Sequence, residues 1–194
     1  LLLDRPFYLF TAFESGNGVT LEQNGPIIQG LLEYRYFVAG GAGNFNGNIG
    51  GRFFDNEDFN FTWGAGGQIG WFPIGRFDRW DTRFLYVPSS LGWSVYLGGR
   101  YDEKELERFP AGNLSTLFRW DRFLFTAEGW IKRELNFGAW QFSWNATAGV
   151  LVWPRVLMIA ADIGQYFPGD FDERPSDEIL ASRDFRRQTD QFQY

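Results

Sequence analysis

The sequence lacks cysteine and histidine altogether, and Lys104 and Lys132 are its only lysines. Without cysteine there is no disulfide framework, no thiol catalyst, no iron–sulfur cluster and no cysteine-ligated zinc. Without histidine there is neither a Ser–His–Asp triad nor an HExxH zinc site. We therefore expect no catalytic residues, no metal and no cofactor, and a protein that is not an enzyme.

Long apolar runs are also missing. A membrane-spanning helix needs about 18 or more consecutive apolar residues. Residues 146–163 come nearest, but Pro154 and Arg155 interrupt the run and Asp162 lies near its end. This stretch instead predicts a hairpin that turns at 153–155. The net charge of −6 argues against nucleic acid as the main partner.

Aromatic residues are abundant. They make up 20% of the chain, and the mean hydropathy is −0.29 although 44% of the residues are hydrophobic. Apolar and polar residues therefore alternate along the chain instead of forming separate blocks. The alternation is clearest in 59–71 and 140–150. A period of two is typical of β-strands and does not fit a helix.

The pattern predicts an all-β protein, an antiparallel up-and-down barrel of about ten strands, with eight and twelve as the bounds. Most strands have nearly the 9–11 residues that a tilted strand needs to cross a bilayer. Residues 1–165 form the predicted barrel, and 166–194 form a polar tail or, over 183–194, a final strand. The predicted strands are 5–13, 27–40, 46–54, 59–72, 79–87, 91–101, 112–120, 122–132, 138–152 and 156–165.

The predicted joints differ in length. Tight joints are expected at 55–58, 88–90, 120–122 and 153–155, and longer ones near 14–26, 41–46, 73–79, 102–111 and 133–137. From the third joint onward, short and long joints alternate. This is typical of a meander whose two ends face different compartments.

The composition of the two faces distinguishes a membrane barrel from a soluble one. A soluble barrel points its apolar face inward, and a membrane barrel points it outward. Here the polar face is rich in Gly, Ser, Asn, Thr and Gln and has few charges, which suits a crowded interior. The apolar face carries more Phe and Trp than a core of this size easily holds.

Tryptophans near the predicted strand ends support the same interpretation. Indole is apolar but keeps one N–H for the headgroup zone, so an interfacial girdle places it there. The alternative is that these are ordinary turn-flanking aromatics. The predicted girdle residues are Trp71, Trp80, Trp120, Trp130, Trp140 and Trp153.

Long alternating strands, aromatic strand ends, alternating joints and the absence of cysteine together resemble the small outer-membrane β-barrels of Gram-negative bacteria. The resemblance covers about residues 5–165 and is one of pattern, not of motif. It implies antiparallel closure, lipid on the outside and periplasmic chain termini. Such barrels usually end on a strand with a terminal aromatic. Tyr194 fits this habit, but the charged residues before it do not suit a lipid-facing strand.

Charged residues are expected inside the barrel, because an Arg on the lipid face costs about 2–4 kcal/mol at the membrane midplane. A structural salt-bridge network is favoured over a narrow ion path. The acidic run 55–58 is interpreted as a turn and not as a calcium site. The predicted interior network consists of Glu33, Arg35, Arg52, Asp81, Arg83, Arg100, Arg119, Arg122 and Glu128, with Lys132 and Asp162 on the same face.

The sequence thus predicts a structural or scaffolding barrel in the bacterial outer membrane. Its expected partners are lipid, lipopolysaccharide and envelope or periplasmic proteins, as in a subunit of an envelope-spanning motility or secretion assembly. Two alternatives stay open, a small porin-like channel and a soluble lipocalin-like barrel that binds an apolar ligand. With ten strands and periplasmic termini the longer joints face the periplasm. Omitting 5–13 and adding 183–194 reverses this orientation.

Overall fold

The computed structural model describes residues 19–40, 63–75, 84–103, 108–133, 135, 140–167 and 191–193. These residues form one antiparallel sheet in which each strand pairs with the next in the chain. Eight strands are long, and the ninth has three residues. They are β1 (Val19–Ile28), β2 (Leu32–Gly40), β3 (Trp63–Ile74), β4 (Ser89–Glu103), β5 (Arg108–Asp121), β6 (Phe123–Arg133), β7 (Trp140–Trp153), β8 (Leu157–Phe167) and β9 (Gln191–Gln193).

The two ends of the sheet differ in their connections. One end of the sheet carries three short turns. The β1–β2 turn is 29–31, the β5–β6 turn is residue 122 and the β7–β8 turn is 154–156. The longer connection 75–88 joins β3 to β4 at the same end. We call this the tight-turn end and the opposite one the loop end. Asp121 and Arg155 have φ values of 49° and 64°, in the left-handed region that tight turns often require. The predicted turns at 120–122 and 153–155 are therefore confirmed.

Three predicted strand assignments need correction. Residues 19–28, predicted as mostly a connection, form β1, and the chain turns at 29–31 inside the predicted strand 27–40. The misleading residue was Pro26, which an edge strand such as β1 tolerates. Residues 84–87 of the predicted strand 79–87 are bends, because β3 pairs directly with β4.

The remaining differences concern the ends of the chain and one connection. Because β2 pairs directly with β3, no strand lies between them in the sheet. The predicted strands 5–13 and 46–54 lie outside the described residues. The strand predicted for 183–194 is represented by β9, which pairs with residues 164–166 of β8. No described helix is long and apolar enough to span a membrane.

A buried apolar cluster lies on one face of the sheet near the tight-turn end. Leu85, which precedes β4, packs in one buried cluster with leucines of β6 and β7, namely Leu124 and Leu151. Leu117 of β5 and Met158 of β8 pack against the same cluster. Side chains of four neighbouring strands and of the segment before β4 therefore pack together on this face.

Candidate functional site

The strand registers divide the side chains of the sheet into two faces. Ser94, Leu117, Thr126, Thr147 and Asp162 lie side by side across β4–β8 on one face. We call this the polar face, and the opposite one the apolar face. Since successive side chains alternate, every second residue of each strand belongs to the polar face.

The polar face is buried, which is the reverse of a soluble sheet. Lys132 and Ser143 are each only 1% exposed, and Ser94, Gln141, Asn145 and Thr147 are also buried. A single sheet can bury one of its faces only by curving around it or by having that face covered. The polar side chains of β4–β8 therefore lie in a sheltered space in front of the sheet, which we call the interior.

Arg100 and Asp102 form the best-defined ion pair of this interior. They lie two residues apart on β4, so both side chains point to the polar face. Arg100 Nε and Nη2 donate to Asp102 Oδ2 and Oδ1, each at 2.6 Å. Bidentate pairing of this kind satisfies both charges in a site from which water is largely excluded.

A second ion pair joins β1 to β2. Arg35 Nη2 donates to Glu22 Oε2 at 2.8 Å. These side chains are more exposed than the Arg100 pair, because β1 is an outer strand of the sheet. A more exposed pair contributes less to stability, so this pair serves mainly to neutralise charge on the polar face.

Two further contacts hold polar groups deep in the interior. The Lys132 ammonium lies 4.3 Å from the centre of the Phe109 ring, a cation–π contact that is strongest where water is excluded. The Thr147 hydroxyl donates to Asp162 Oδ1 at 2.7 Å. Both contacts link neighbouring strands and so fix their side chains in one arrangement.

Charge on the described polar face is close to balanced. Its register places Glu22, Glu33, Asp102, Glu128 and Asp162 there as acids, with Arg35, Arg100, Arg119 and Lys132 as bases. A balanced interior of paired charges is typical of a structural network. A selective ion path instead needs a ring of one sign.

Several buried polar atoms have no hydrogen-bond partner among the described residues. They include the hydroxyls of Ser94, Thr126 and Ser143 and both polar atoms of the Gln141 amide. Buried groups of this kind are usually satisfied by ordered water. We therefore expect a hydrated interior instead of a dry core.

A cavity of about 230 Å³ lies on the polar face over β1–β6. It lies where the face carries small residues, Gly98 and Ala111, beside the larger Arg100, Asn113 and Trp130. An added Cβ at Gly98 would lie against Asn113 Oδ1, so the Asn113 side chain would have to move. The interior is thus packed along β7 and β8 and open over β3–β5.

Five of the predicted interior residues lie on the polar face, namely Glu33, Arg35, Arg100, Arg119 and Glu128. Arg122 does not. It is exposed in the β5–β6 turn, and its guanidinium lies near the Val152 carbonyl. The prediction counted strand parity through a position where the chain reverses. Arg52, Asp81 and Arg83 lie outside the described residues.

The apolar face carries exposed aromatics near both ends of the sheet. Trp71, Trp120 and Trp153 lie near the tight-turn end, and Trp140 near the loop end. All four were predicted for the girdle. Trp80 lies outside the described residues. Trp130 is a correction, since it faces the cavity on the polar side, where parity with Glu128 and Lys132 places it.

The sequence prediction missed several residues of the interior. Glu22 and Phe109 fell in predicted connections, and Asp102 fell one residue beyond a predicted strand. The signal for Asp102 was present, because it continues the alternation of Gly98 and Arg100. Leu85 carried no such signal, since its role depends on how the chain folds after β3.

No group of three acidic side chains within the described part of the chain is placed to hold a metal ion. The hydroxyls on the polar face have no histidine to activate them. Comparison of the chain with protein-family models, curated proteins and solved structures finds no match. Function is therefore inferred from the geometry of the chain itself.

Proposed function

We propose that the chain is a transmembrane β-barrel of the Gram-negative outer membrane whose role is structural. One observation carries the proposal, namely that the amphipathicity of the sheet is inverted. Among the described residues, thirty large hydrophobic side chains are exposed and six hydrophobic residues are buried. The buried set also includes ten polar or charged residues.

Water is a poor solvent for such a surface. Apolar burial contributes about 25 cal/mol per Å², and soluble monomers rarely expose contiguous apolar patches of more than a few hundred Å². On the apolar face, Ile69, Leu97 and Leu114 lie side by side across three strands, and all are exposed. A lipocalin-like barrel needs the opposite arrangement, with its aromatics lining an internal cavity.

The spacing of aromatics along the strands suits a bilayer. On β3, Trp63 and Trp71 lie at opposite ends of the strand, and on β4 Trp93 and Tyr101 do the same. Eight residues at about 3.3 Å each span roughly 26 Å along a strand. At the 35–45° tilt of membrane-barrel strands, this length covers about 20 Å of membrane thickness, which is most of the apolar band of about 25 Å between the two aromatic girdles.

Contacts within each aromatic band strengthen this assignment. The rings of Trp71 and Trp93 are 5.9 Å apart at the tight-turn end, and those of Trp63 and Tyr101 are 5.2 Å apart at the loop end. The Arg133 guanidinium lies 5.3 Å from the Trp140 ring. Basic and aromatic side chains together suit the headgroup region.

Closure of the sheet is part of the proposal. Within lipid, an open edge would leave backbone N–H and C=O groups unsatisfied, so a spanning sheet must close. The outermost long strands, β1 and β8, run in opposite directions, as antiparallel closure of eight strands requires. An eight-stranded barrel is filled by its own side chains, which favours a structural role over a channel. Membership of a larger envelope assembly stays a prediction.

The test is a pair of measurements on the detergent-extracted full chain. We expect a folded band that resists SDS until the sample is boiled, because closure leaves no edge from which to unfold. We also expect the protein to float with vesicles of outer-membrane lipid in a density gradient. A chain that stays soluble and monodisperse without detergent would overturn the proposal.

A further inference from the structure

The segment 84–87, which precedes β4, crosses the polar face at the tight-turn end instead of pairing as a strand. Leu85 is 5% exposed and lies in the cluster with Leu124 and Leu151. Phe109 and Trp130 lie farther along the same face, whereas this leucine cluster lies at its tight-turn end. An apolar side chain inserted there closes off the space that the polar groups leave open.

The backbone of the segment makes two hydrogen bonds to the β7–β8 hairpin. The Leu85 N–H donates to Met158 Sδ at 3.3 Å. The Tyr86 carbonyl accepts from the Arg155 N–H at 2.7 Å. Both partners belong to the β7–β8 hairpin, whereas the segment itself leads into β4. The segment therefore bridges strands that are four positions apart in the sheet order.

The side chains of the segment differ in their exposure. Leu85 points into the cluster, whereas Tyr86 is 67% exposed and Val87 is also exposed. A connection that merely lay over the sheet would have no reason to bury only Leu85. The row of polar residues next to the cluster begins with Ser94, which is fully buried beside Leu117.

We propose that residues 84–87 form an internal plug, which closes the space in front of the polar face at the tight-turn end. The inference rests on the proposed barrel, because a plug has a function only where the sheet encloses an interior. It assigns the closure to one side chain, Leu85, and to its contacts with β6, β7 and β8.

The absence of native cysteine permits a direct test by thiol reactivity. Ser94→Cys places a reporter behind the plug, and Gln141→Cys places one near the loop end on the same face. Each reporter is combined with Leu85→Ala in the full chain, folded in detergent micelles. The rate of modification by a small water-soluble methanethiosulfonate is then measured.

We expect Leu85→Ala to raise the rate at the Ser94→Cys reporter about tenfold or more, because truncating a buried leucine loosens local packing. The rate at the Gln141→Cys reporter stays within about twofold, because that site is remote from the plug. Tyr86→Ala, which truncates an exposed side chain of the same segment, leaves both rates unchanged. Equal acceleration at both reporters, or none at Ser94→Cys, would overturn the plug.

Two controls distinguish failure of the plug from misfolding of the variant and from failure of the barrel proposal. Leu85→Val shortens the side chain less, and it gives an intermediate rate if Leu85→Ala prevents folding. Vesicle flotation of the unsubstituted chain tests the barrel independently. If the chain floats but Leu85→Ala does not accelerate modification of the Ser94→Cys reporter, the plug is contradicted and the barrel is not. If the unsubstituted chain does not float, the barrel itself is contradicted.

Discussion

At the residue scale, the consequences of exposure depend on the solvent around the apolar face. Leu97 is 61% exposed and lies midway between Trp93 and Tyr101 on β4. In water, replacing an exposed leucine changes the free energy of unfolding by only about 0.5 kcal/mol in either direction. In a bilayer the same position lies near the midplane, so a charged side chain there lowers the stability of the folded protein.

We therefore expect Leu97→Arg to destabilise the folded protein in lipid vesicles by about 2–4 kcal/mol. Leu157→Arg is the matched control, because Leu157 is also exposed but lies at the tight-turn end, where the cost falls to about 0–1 kcal/mol. Denaturant titration of the vesicle-bound protein measures both. Equal effects for the two variants would count against a membrane-embedded face.

At the element scale, close approach between strands depends on glycine at particular positions. An added Cβ at Gly66 would lie 2.7 Å from Phe37 Cε1 and 2.8 Å from the Gly99 carbonyl oxygen. The second contact is with backbone, which cannot rotate away. An added Cβ at Gly112 meets nothing closer than 3.7 Å. The packing of β2, β3 and β4 therefore depends on Gly66 far more than on Gly112.

Gly66→Ala should lower the free energy of unfolding by about 1–3 kcal/mol, the usual cost of overpacking. Gly112→Ala should be close to neutral. Guanidinium titration in micelles, followed by tryptophan fluorescence, compares the two midpoints. Coincident midpoints would show that β2–β4 can separate without cost and would contradict this packing.

At the scale of the whole molecule, the state of the two outer strands decides whether the sheet is a barrel. In the described residues the order runs from β1 to β9, and β9 covers only residues 164–166 of β8. Exposed edges of this length invite pairing with other chains. Pairing of β1 with β8 would remove both edges at once.

Hydrogen–deuterium exchange in micelles tests closure. We expect amides in 19–28 and 157–163 to exchange as slowly as those of β4–β7, because closure gives them partners and exchange then needs cooperative opening. Gly30 in the β1–β2 turn and Arg122 in the β5–β6 turn provide the fast-exchanging internal reference. Exchange of the outer strands as fast as that of the turns would mean an open sheet.

Sequence alone determined the strand content and the two faces in the second half of the chain. From β4 onward the alternation has a period of two with few breaks, and side-chain direction in a strand is local, so parity places Arg100, Arg119 and Glu128 without knowledge of contacts. The turns at 121–122 and 154–156 were predictable for the same reason, since they depend on neighbouring residues.

Only the tertiary structure decided which strands pair and where Leu85 goes. Pairing of β2 with β3 and of β3 with β4 joins residues separated by long connections, and no local pattern reports that separation. Leu85 is buried because side chains of four neighbouring strands pack in its cluster, and those side chains lie 30 residues and more along the chain from it. Local chemistry fixes the direction of a side chain, whereas its neighbours depend on the path of the whole chain.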